Sequence, residues 1–289
     1  MIAMFDFSSY KQGGRFYAGS ERKESVLSPD GQYFMIKFPK LVNGVKTFSH
    51  ISEYLGSKIF QLAGLAAQEV YLGTYDGEQV VACRDFNEDG YAFVPFNGVG
   101  ESSLDNDKEN YRYEYGDIMQ MLYDNIKLTN IEETISTFWQ MYIVDALIGN
   151  FDRHGSNWGF LKKGNTYVLA PIFDNGSCLF PRLIDDESLE SVLASKEELN
   201  RRVFEFPTSQ ILLNGRKSSY YDVINSCQYD ECNQALARIV GNLQIEKVYM
   251  LIDSVEWITD TRKRFLRRMI ARRYEGILVA AYRKLRMQL

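Results

Sequence analysis

Apolar positions along this chain follow two periods and change over once. Up to about Phe96 the alternation is mostly that of strands, with a single helical stretch between them. Tyr33-Phe34-Met35-Ile36-Lys37-Phe38 is an apolar and aromatic run that predicts a strand. Phe16–Ala18 and Ser25–Leu27 are shorter extended pieces flanking Gly19-Ser20, with Pro29-Asp30-Gly31 as a turn. Glu69–Tyr75 and Gln79–Cys83 predict two strands joined at Asp76-Gly77, a hairpin signal. Between them, Ile51, Tyr54, Leu55, Ile59 and Leu62 recur at helical spacing and predict a helix over Ser49–Leu65, with Ser49 as its N-cap. After about Tyr111 the helical period dominates. Ile135–Gly149 sets Phe138, Trp139, Tyr142 and Ala146 on one face and stops at Gly149-Asn150. Gly159–Leu161 and Tyr167–Leu169 predict a hairpin turning at Gly164-Asn165; Asp230–Leu243, Gln244–Trp257 and Asp260–Leu285 predict helices. Asn97–Asn110, rich in Gly, Ser, Asn and Asp, reads as the connecting loop. The pattern is that of an α+β chain, strand-rich over 1–97 and mainly helical over 98–289.

Composition removes several functions. With 33 basic and 38 acidic residues the net charge is −5, which excludes a globally basic nucleic-acid binder. The four cysteines include no C-x-x-C, and the only histidines are His50 and His154, so no structural zinc site is expected. Met1–Lys11 has neither a basic start nor an apolar stretch of a secretory leader, and the most apolar helix, Phe138–Ile148, is interrupted by Gln140 and Asp145. No membrane span is expected, and a cytoplasmic protein with free thiols is. One local imbalance stands out: ten basic residues lie between Arg262 and Arg286. Such a helix can engage an acidic substrate, nucleic acid or an anionic surface, or be a solvated face that pairs with the acidic remainder of the chain.

The sharpest chemical feature is Asn150-Phe151-Asp152-Arg153-His154-Gly155-Ser156-Asn157, followed after the hairpin by Ala170-Pro171-Ile172-Phe173-Asp174-Asn175-Gly176. Asp152 and Asn157 have the spacing of a protein-kinase catalytic loop, and Asp174 lies where a kinase holds a second metal ligand. Phosphoryl transfer needs one carboxylate to orient the nucleophile and hard oxygens for Mg²⁺, which Asn157 and Asp174 supply. A cluster of Asp, Asn, Gly and Ser is by itself an ordinary turn; the order helix, D-x-x-x-x-N, hairpin, apolar-Asp-x-Gly is what makes it chemical.

These motifs resemble the HipA-like serine/threonine kinases, a bacterial toxin-type branch of the kinase superfamily tied to toxin–antitoxin systems. N-F-D-R-H-G-S-N is similar to that family's catalytic segment and L-A-P-I-F-D-N to its metal segment. Gly19-Ser20-Glu21-Arg22-Lys23 resembles its phosphate loop, Met35–Pro39 its lysine strand, Ser52-Glu53-Tyr54 its glutamate helix, and Arg84-Asp85-Phe86 the segment after the hinge strand. The phosphate loop begins almost at the first residue, so the chain resembles kinase-core-only members that lack an extra N-terminal subdomain.

The resemblance implies a two-lobed protein-kinase-like fold: an N-lobe with a small mixed or antiparallel sheet and one helix, and a helical C-lobe. It implies ATP and Mg²⁺ as cofactors and a protein Ser or Thr as acceptor. Asp152 would orient the hydroxyl and take its proton, with Asn157 and Asp174 on the metal. Lys37 would grip phosphates with Glu53 as ion-pair partner, Glu69 being the fallback. Gly19 and its neighbours would cradle phosphate, and Ser20 is a candidate for autophosphorylation. His154 orders the loop, stabilises transferred charge, or simply packs beneath it; Arg153 serves an ion pair or a substrate phosphate. Val81-Ala82-Cys83-Arg84 is the expected hinge, reading adenine with its backbone. Asp-Arg-His-x-x-Asn is also similar to phosphatidylinositol kinases, so a lipid or small-molecule acceptor stands as the alternative. A pseudokinase-like binding module is a second alternative, opposed by the intact Lys37, Asp152, Asn157 and Asp174. The sequence leaves oligomeric state open.

Overall fold

A computed structural model describes residues 5–17, 21–87, 90–101, 113–124, 128 and 130–288. In chain order the elements are β1 (Phe5–Asp6), β2 (Lys11–Gln12), β3 (Lys23–Leu27), β4 (Tyr33–Lys37), β5 (Leu41–Val42), β6 (Val45–Lys46), α1 (Ser49–Leu62), β7 (Val70–Tyr75), β8 (Glu78–Arg84), β9 (Ala92–Pro95), α2 (Phe96–Glu101), α3 (Tyr115–Asp124) and α4 (Ile131–Ile148). There follow β10 (Gly159–Lys163), β11 (Thr166–Leu169), α5 (Asp186–Ala194), α6 (Lys196–Asn200), a π-turn over Arg201–Glu205, β12 (Leu212–Leu213), β13 (Arg216–Lys217), α7 (Tyr220–Ser226), α8 (Asp230–Asn242), α9 (Ile245–Asp253) and α10 (Asp260–Arg273). A second π-turn, Tyr274–Val279, leads into α11 (Ala280–Gln288).

The N-terminal lobe is a six-stranded sheet in the order β1-β7-β8-β4-β3-β2, antiparallel except for the parallel β1–β7 edge. Strand alternation gives its two faces different duties. Phe34, Ile36, Val80 and Ala82 point to an outer cluster with Phe7, Val26 and Phe38. The opposite face, through Val70, Leu72, Val81 and Cys83, packs on α1 and joins the main core. The β7–β8 turn takes Asp76 and Gly77 at φ 50° and 77°, the left-handed pair that a two-residue hairpin requires.

The C-terminal part is built around α4, which is buried on nearly all sides, as its almost continuous apolar sequence demands. Asn130 caps its start by accepting from the Glu133 N–H, and Gly149 closes it at φ 64°. The sheet β11-β10-β9 lies against this helix through Trp158, Phe160 and Tyr167. Among the described residues no helix is long and apolar enough to cross a membrane.

Several sequence expectations change. Ser49 does not cap α1: Phe48 holds the cap position, and the Ser49 hydroxyl accepts the Lys40 N–H at 2.8 Å instead. The helix ends at Leu62, because Gly64 turns the chain at φ 86°. Phe16 and Tyr17 are not in a strand, and Ala18 lies outside the described residues. The expected loop after Phe96 begins as α2, with 102–110 outside the described residues. Short helices α3, α5, α6 and α7 carried too few apolar repeats to be seen.

The basic C-terminal helix is three segments, and much of its charge is committed. Arg262 and Arg273 are 2% and 1% exposed. Arg273 donates from Nε to the Ala146 carbonyl at 2.6 Å, under α4, and burial draws its pKa down to about 10. Arg262 stacks over the Phe48 ring at 3.6 Å and donates to the Leu183 carbonyl. Arg264 and Arg267 pair with Glu190 and Asp253, and Arg283 with Glu275. The packing role thus accounts for the buried arginines directly.

His50, in the first turn of α1, is 5% exposed with no hydrogen bond to either ring nitrogen. Burial lowers its pKa from 6.5 to about 4. Between those values the unfolded chain binds a proton that the native chain refuses, so stability falls as pH drops through this window. The expected loss from pH 7 to 4 is about 3 kcal/mol from this residue. Urea unfolding of parent and His50→Leu at both pH values should show a shallower pH dependence in the variant; identical dependence would remove His50 as the cause.

Candidate active site

Lys37 reaches the cleft because Phe34 and Ile36 turn to the outer cluster, so Met35 and Lys37 turn inward. Its Nζ lies 3.0 Å from Glu53 Oε2 and 3.0 Å from Asp174 Oδ1. Burial opposes the lysine's charge, but Asp174 and Glu53 outweigh it and hold its pKa well above the ordinary value. Burial likewise opposes the Asp174 charge, and Lys37 prevails, drawing that carboxyl below its ordinary pKa. Glu53 is the partner of Lys37; Glu69, the fallback, pairs with Arg84.

The catalytic-loop candidates follow the Gly149 stop. Asn150 donates to Asp145 Oδ1 at 2.9 Å and accepts the Asp152 N–H at 3.1 Å. Arg153 is the centre of the loop. It is 3% exposed and donates from Nε to Asp145 Oδ2 at 2.9 Å and from Nη2 to Asp145 Oδ1 at 3.1 Å. Its other N–H groups reach the carbonyls of Asn157 and Phe173 and the side chain of Asn175. Of the two roles open to Arg153, the structure shows the ion pair. Asn157 donates from Nδ2 to the Asp152 carbonyl at 2.8 Å, which commits the amide nitrogen. His154 sits at the cleft surface, 45% exposed at the side chain, with Nε2 4.0 Å from Asp152 Oδ1 and Nδ1 accepting the Ser156 N–H at 3.2 Å. It lines the cleft and does not pack beneath the loop.

The Asp174 turn is held from both lobes. Asp174 has φ 57°, uncommon for a residue with a side chain and a mark of constraint by its surroundings. The next N–H, of Asn175, donates to Glu53 Oε1 at 3.0 Å, and the Asn175 amide donates to Ser57 Oγ at 2.9 Å. A Cβ on Gly56 would stand 2.6 Å from that of Asn175, so α1 needs a glycine where the turn crosses it.

These groups share one cleft of about 540 Å³, in which Lys37, Asp152, His154, Asn157 and Asp174 meet Lys23, Met35 and Phe86. One end is aromatic: Phe93 and Phe173 lie 5.1 Å apart edge to face, and Phe86 is 5.5 Å from Phe173. A larger groove of about 870 Å³, between α4 and β11, holds none of Lys37, Asp152, His154, Asn157 and Asp174.

The expected hinge must move. Ala82 and Cys83 lie inside β8, paired with β4 on one side and β7 on the other, so the ladder uses their backbone groups. The Arg84 N–H goes to the Glu69 carbonyl, the Arg84 carbonyl accepts from Gln68, and none of the three residues lines the cleft. Burial also pushes the Cys83 thiol far up, leaving it inert. The strap that does border the cleft is Asp85-Phe86-Asn87. Gly19 and Ser20 lie outside the described residues. The segment before them is anchored to that strap: Arg15 and Tyr17 donate to Asp85 Oδ2 at 2.6 and 2.9 Å. Asp145, Asn175 and Asp85 were missed as supporting residues; the signal for Asp145 was a lone carboxylate inside an apolar helix, eight residues before an arginine.

Residues 16–206 match the family model of the HipA-like C-terminal domain. The chain belongs to that family. It is 34% identical over 273 residues to the serine/threonine-protein kinase CtkA of Helicobacter pylori, across 92% of this chain and 83% of that protein. The crystal structure of the H. pylori proinflammatory kinase CtkA matches with a TM-score of 0.89 at 31% identity, over 99% of this chain and 100% of that one. HipA of Shewanella oneidensis, solved with HipB and operator DNA, matches at 0.52 and 12% identity over 94% and 67%, a likeness of fold alone. The α+β kinase-like architecture is therefore that of the family.

Removing Asp145 leaves the Arg153 charge buried without its carboxylate. Asp145→Ala should lower stability by about 3–5 kcal/mol. Thermal and urea unfolding check this; a loss below about 1 kcal/mol would show that the pair is dispensable.

Proposed function

We propose that this chain is an ATP-dependent protein kinase that phosphorylates Ser or Thr. One observation carries the reading: Lys37 joins Glu53 and Asp174 at 3.0 Å each, on the same cleft that Asp152 and Asn157 line. The family membership and the 34% identity to a serine/threonine-protein kinase support it.

In this reading the adenine lies at the aromatic end beside Phe86, Phe93 and Phe173, against the Asp85–Asn87 strap. The phosphates extend toward Lys37, with Lys23 opposite it on β3 as a second cation. The donor set suits Mg²⁺: the Asn157 nitrogen is committed to the Asp152 carbonyl, leaving its Oδ1, and Asp174 uses Oδ1 on Lys37 and keeps Oδ2. Bound there, Mg²⁺ supplies neutralisation of charge developing on the phosphates. Asp152 orients the acceptor hydroxyl; its oxygen attacks the γ-phosphorus, the bond to ADP breaks, and Asp152 takes the proton. Glu53 keeps Lys37 charged and extended, and Arg153 holds the loop so that both carboxylates stay aimed at one point.

Two measurements test these roles. Asp152→Asn should abolish phosphoryl transfer while ATP binding persists, because nucleotide affinity rests on Lys37 and the metal; turnover within tenfold of the parent would remove Asp152 from its role. Asp174→Ala should weaken Mg²⁺ binding in the presence of a non-hydrolysable ATP analogue more than His154→Ala does, since only the first removes a hard oxygen. Equal losses by calorimetric titration would count against Asp174 as the metal ligand.

A further inference from the structure

Asp152 has a neighbour that phosphate chemistry does not use. Phe151 precedes it directly, yet is not among the residues lining the nucleotide cleft. Its ring stacks on Phe206, with centroids 6.3 Å apart and planes at 26°. Phe206 is 50% exposed. The Arg182 guanidinium stands over the same Phe151 ring at 5.2 Å, exposed and with no carboxylate partner among the described residues. Single exposed apolar side chains are ordinary on protein surfaces. A stacked pair beneath an uncompensated cation, one peptide bond from the carboxylate that orients the acceptor, is a more specific arrangement.

The backbone beneath the patch is also tied down before any partner arrives. Gln210 donates to the Phe151 carbonyl and Tyr220 to the Asn150 carbonyl, the latter at 2.8 Å. The Phe206 N–H donates to the Arg201 carbonyl at 2.9 Å. The segment bearing Arg182 is fixed on either side: the Pro181 carbonyl accepts the Phe48 N–H at 3.0 Å, and the Leu183 carbonyl accepts from Arg262. The backbone is thus ordered in advance, and binding has only the exposed side chains to order.

We propose that Phe151, Phe206 and Arg182 form the substrate-docking platform, taking a protein segment whose acceptor Ser or Thr is flanked by a large apolar side chain and by an acidic one. The inference rests on the kinase reading and deepens it. An acceptor hydroxyl must come within about 3 Å of the Asp152 carboxylate. Successive Cα atoms are about 3.8 Å apart, so the residues within two or three of the acceptor pass over whatever surface adjoins Asp152. Part of that surface is the aromatic pair and its cation, which begin one residue from Asp152. The stacked rings favour an apolar partner by burial, and the guanidinium favours a carboxylate by charge.

The test is a positional peptide array around a central Ser or Thr, phosphorylated by the full chain with Mg²⁺ and labelled ATP. The parent is compared with Phe206→Ala, Arg182→Ala and Arg182→Glu. The parent should select large apolar residues at one flanking position and Asp or Glu at another. Phe206→Ala should lower kcat/KM about tenfold for the peptide bearing the apolar residue and leave its Ala counterpart unchanged. Arg182→Ala should do the same for the acidic position, and Arg182→Glu should turn that preference toward Lys or Arg. Both side chains are exposed, so melting temperatures should stay with the parent. An indifferent parent array, or equal losses on matched and unmatched peptides, would overturn the platform while leaving the kinase reading intact. No label on any peptide with the parent would overturn both.

Discussion

The buried pair between Arg153 and Asp145 is the interaction on which the rest of the site depends. A guanidinium and a carboxylate removed from water are costly unless nearly every donor and acceptor is met. Here they are met, by Asn150 on the carboxylate and by two carbonyls and Asn175 on the guanidinium. Asp145 lies on α4, and those partners come from two further pieces: Asn150 and Asn157 from the loop after it, Phe173 and Asn175 from the turn that carries Asp174. One ion pair thus sets three backbone segments in register, and replacing either member uncouples all of them.

A second linkage carries that register into the sheet lobe. The Glu53 carboxylate is divided, one oxygen on Lys37 and the other on the Asn175 N–H. The lysine strand is therefore tied to the Asp174 turn twice, once through Lys37 to Asp174 and once through Glu53 to Asn175. Gly56 lets α1 approach that turn closely enough for the linkage to form. The charge state of Lys37 and Asp174 follows from the geometry: each is held in its charged form by the opposite charge at contact distance.

The polar residues that meet in the cleft were legible in the sequence. The D-x-x-x-x-N spacing, the Asp beyond the hairpin, and the alternation of the Tyr33–Phe38 run named Asp152, Asn157, Asp174 and Lys37 before any coordinate. Helix α4, its stop at Gly149, and both hairpins were legible too, because turn chemistry and apolar period are local properties. The short helices α3, α5, α6 and α7 were not, since a helix of two turns held by tertiary packing leaves little periodic signal.

What the sequence by itself determined was which polar residues are spaced to meet in one cleft and where the chain turns, since spacing and backbone preference are local and need no partner. Tertiary structure decided the remainder. That β8 is a central strand, and so has the Ala82 and Cys83 backbone groups committed to its ladders, depends on β4 and β7 flanking it on both sides. That Glu53 and not Glu69 meets Lys37 depends on where α1 crosses the sheet. That Arg273 lies under α4, and not in solvent, depends on a carbonyl 127 residues away. Burial and long-range contact govern each of these, and no window of sequence contains both partners.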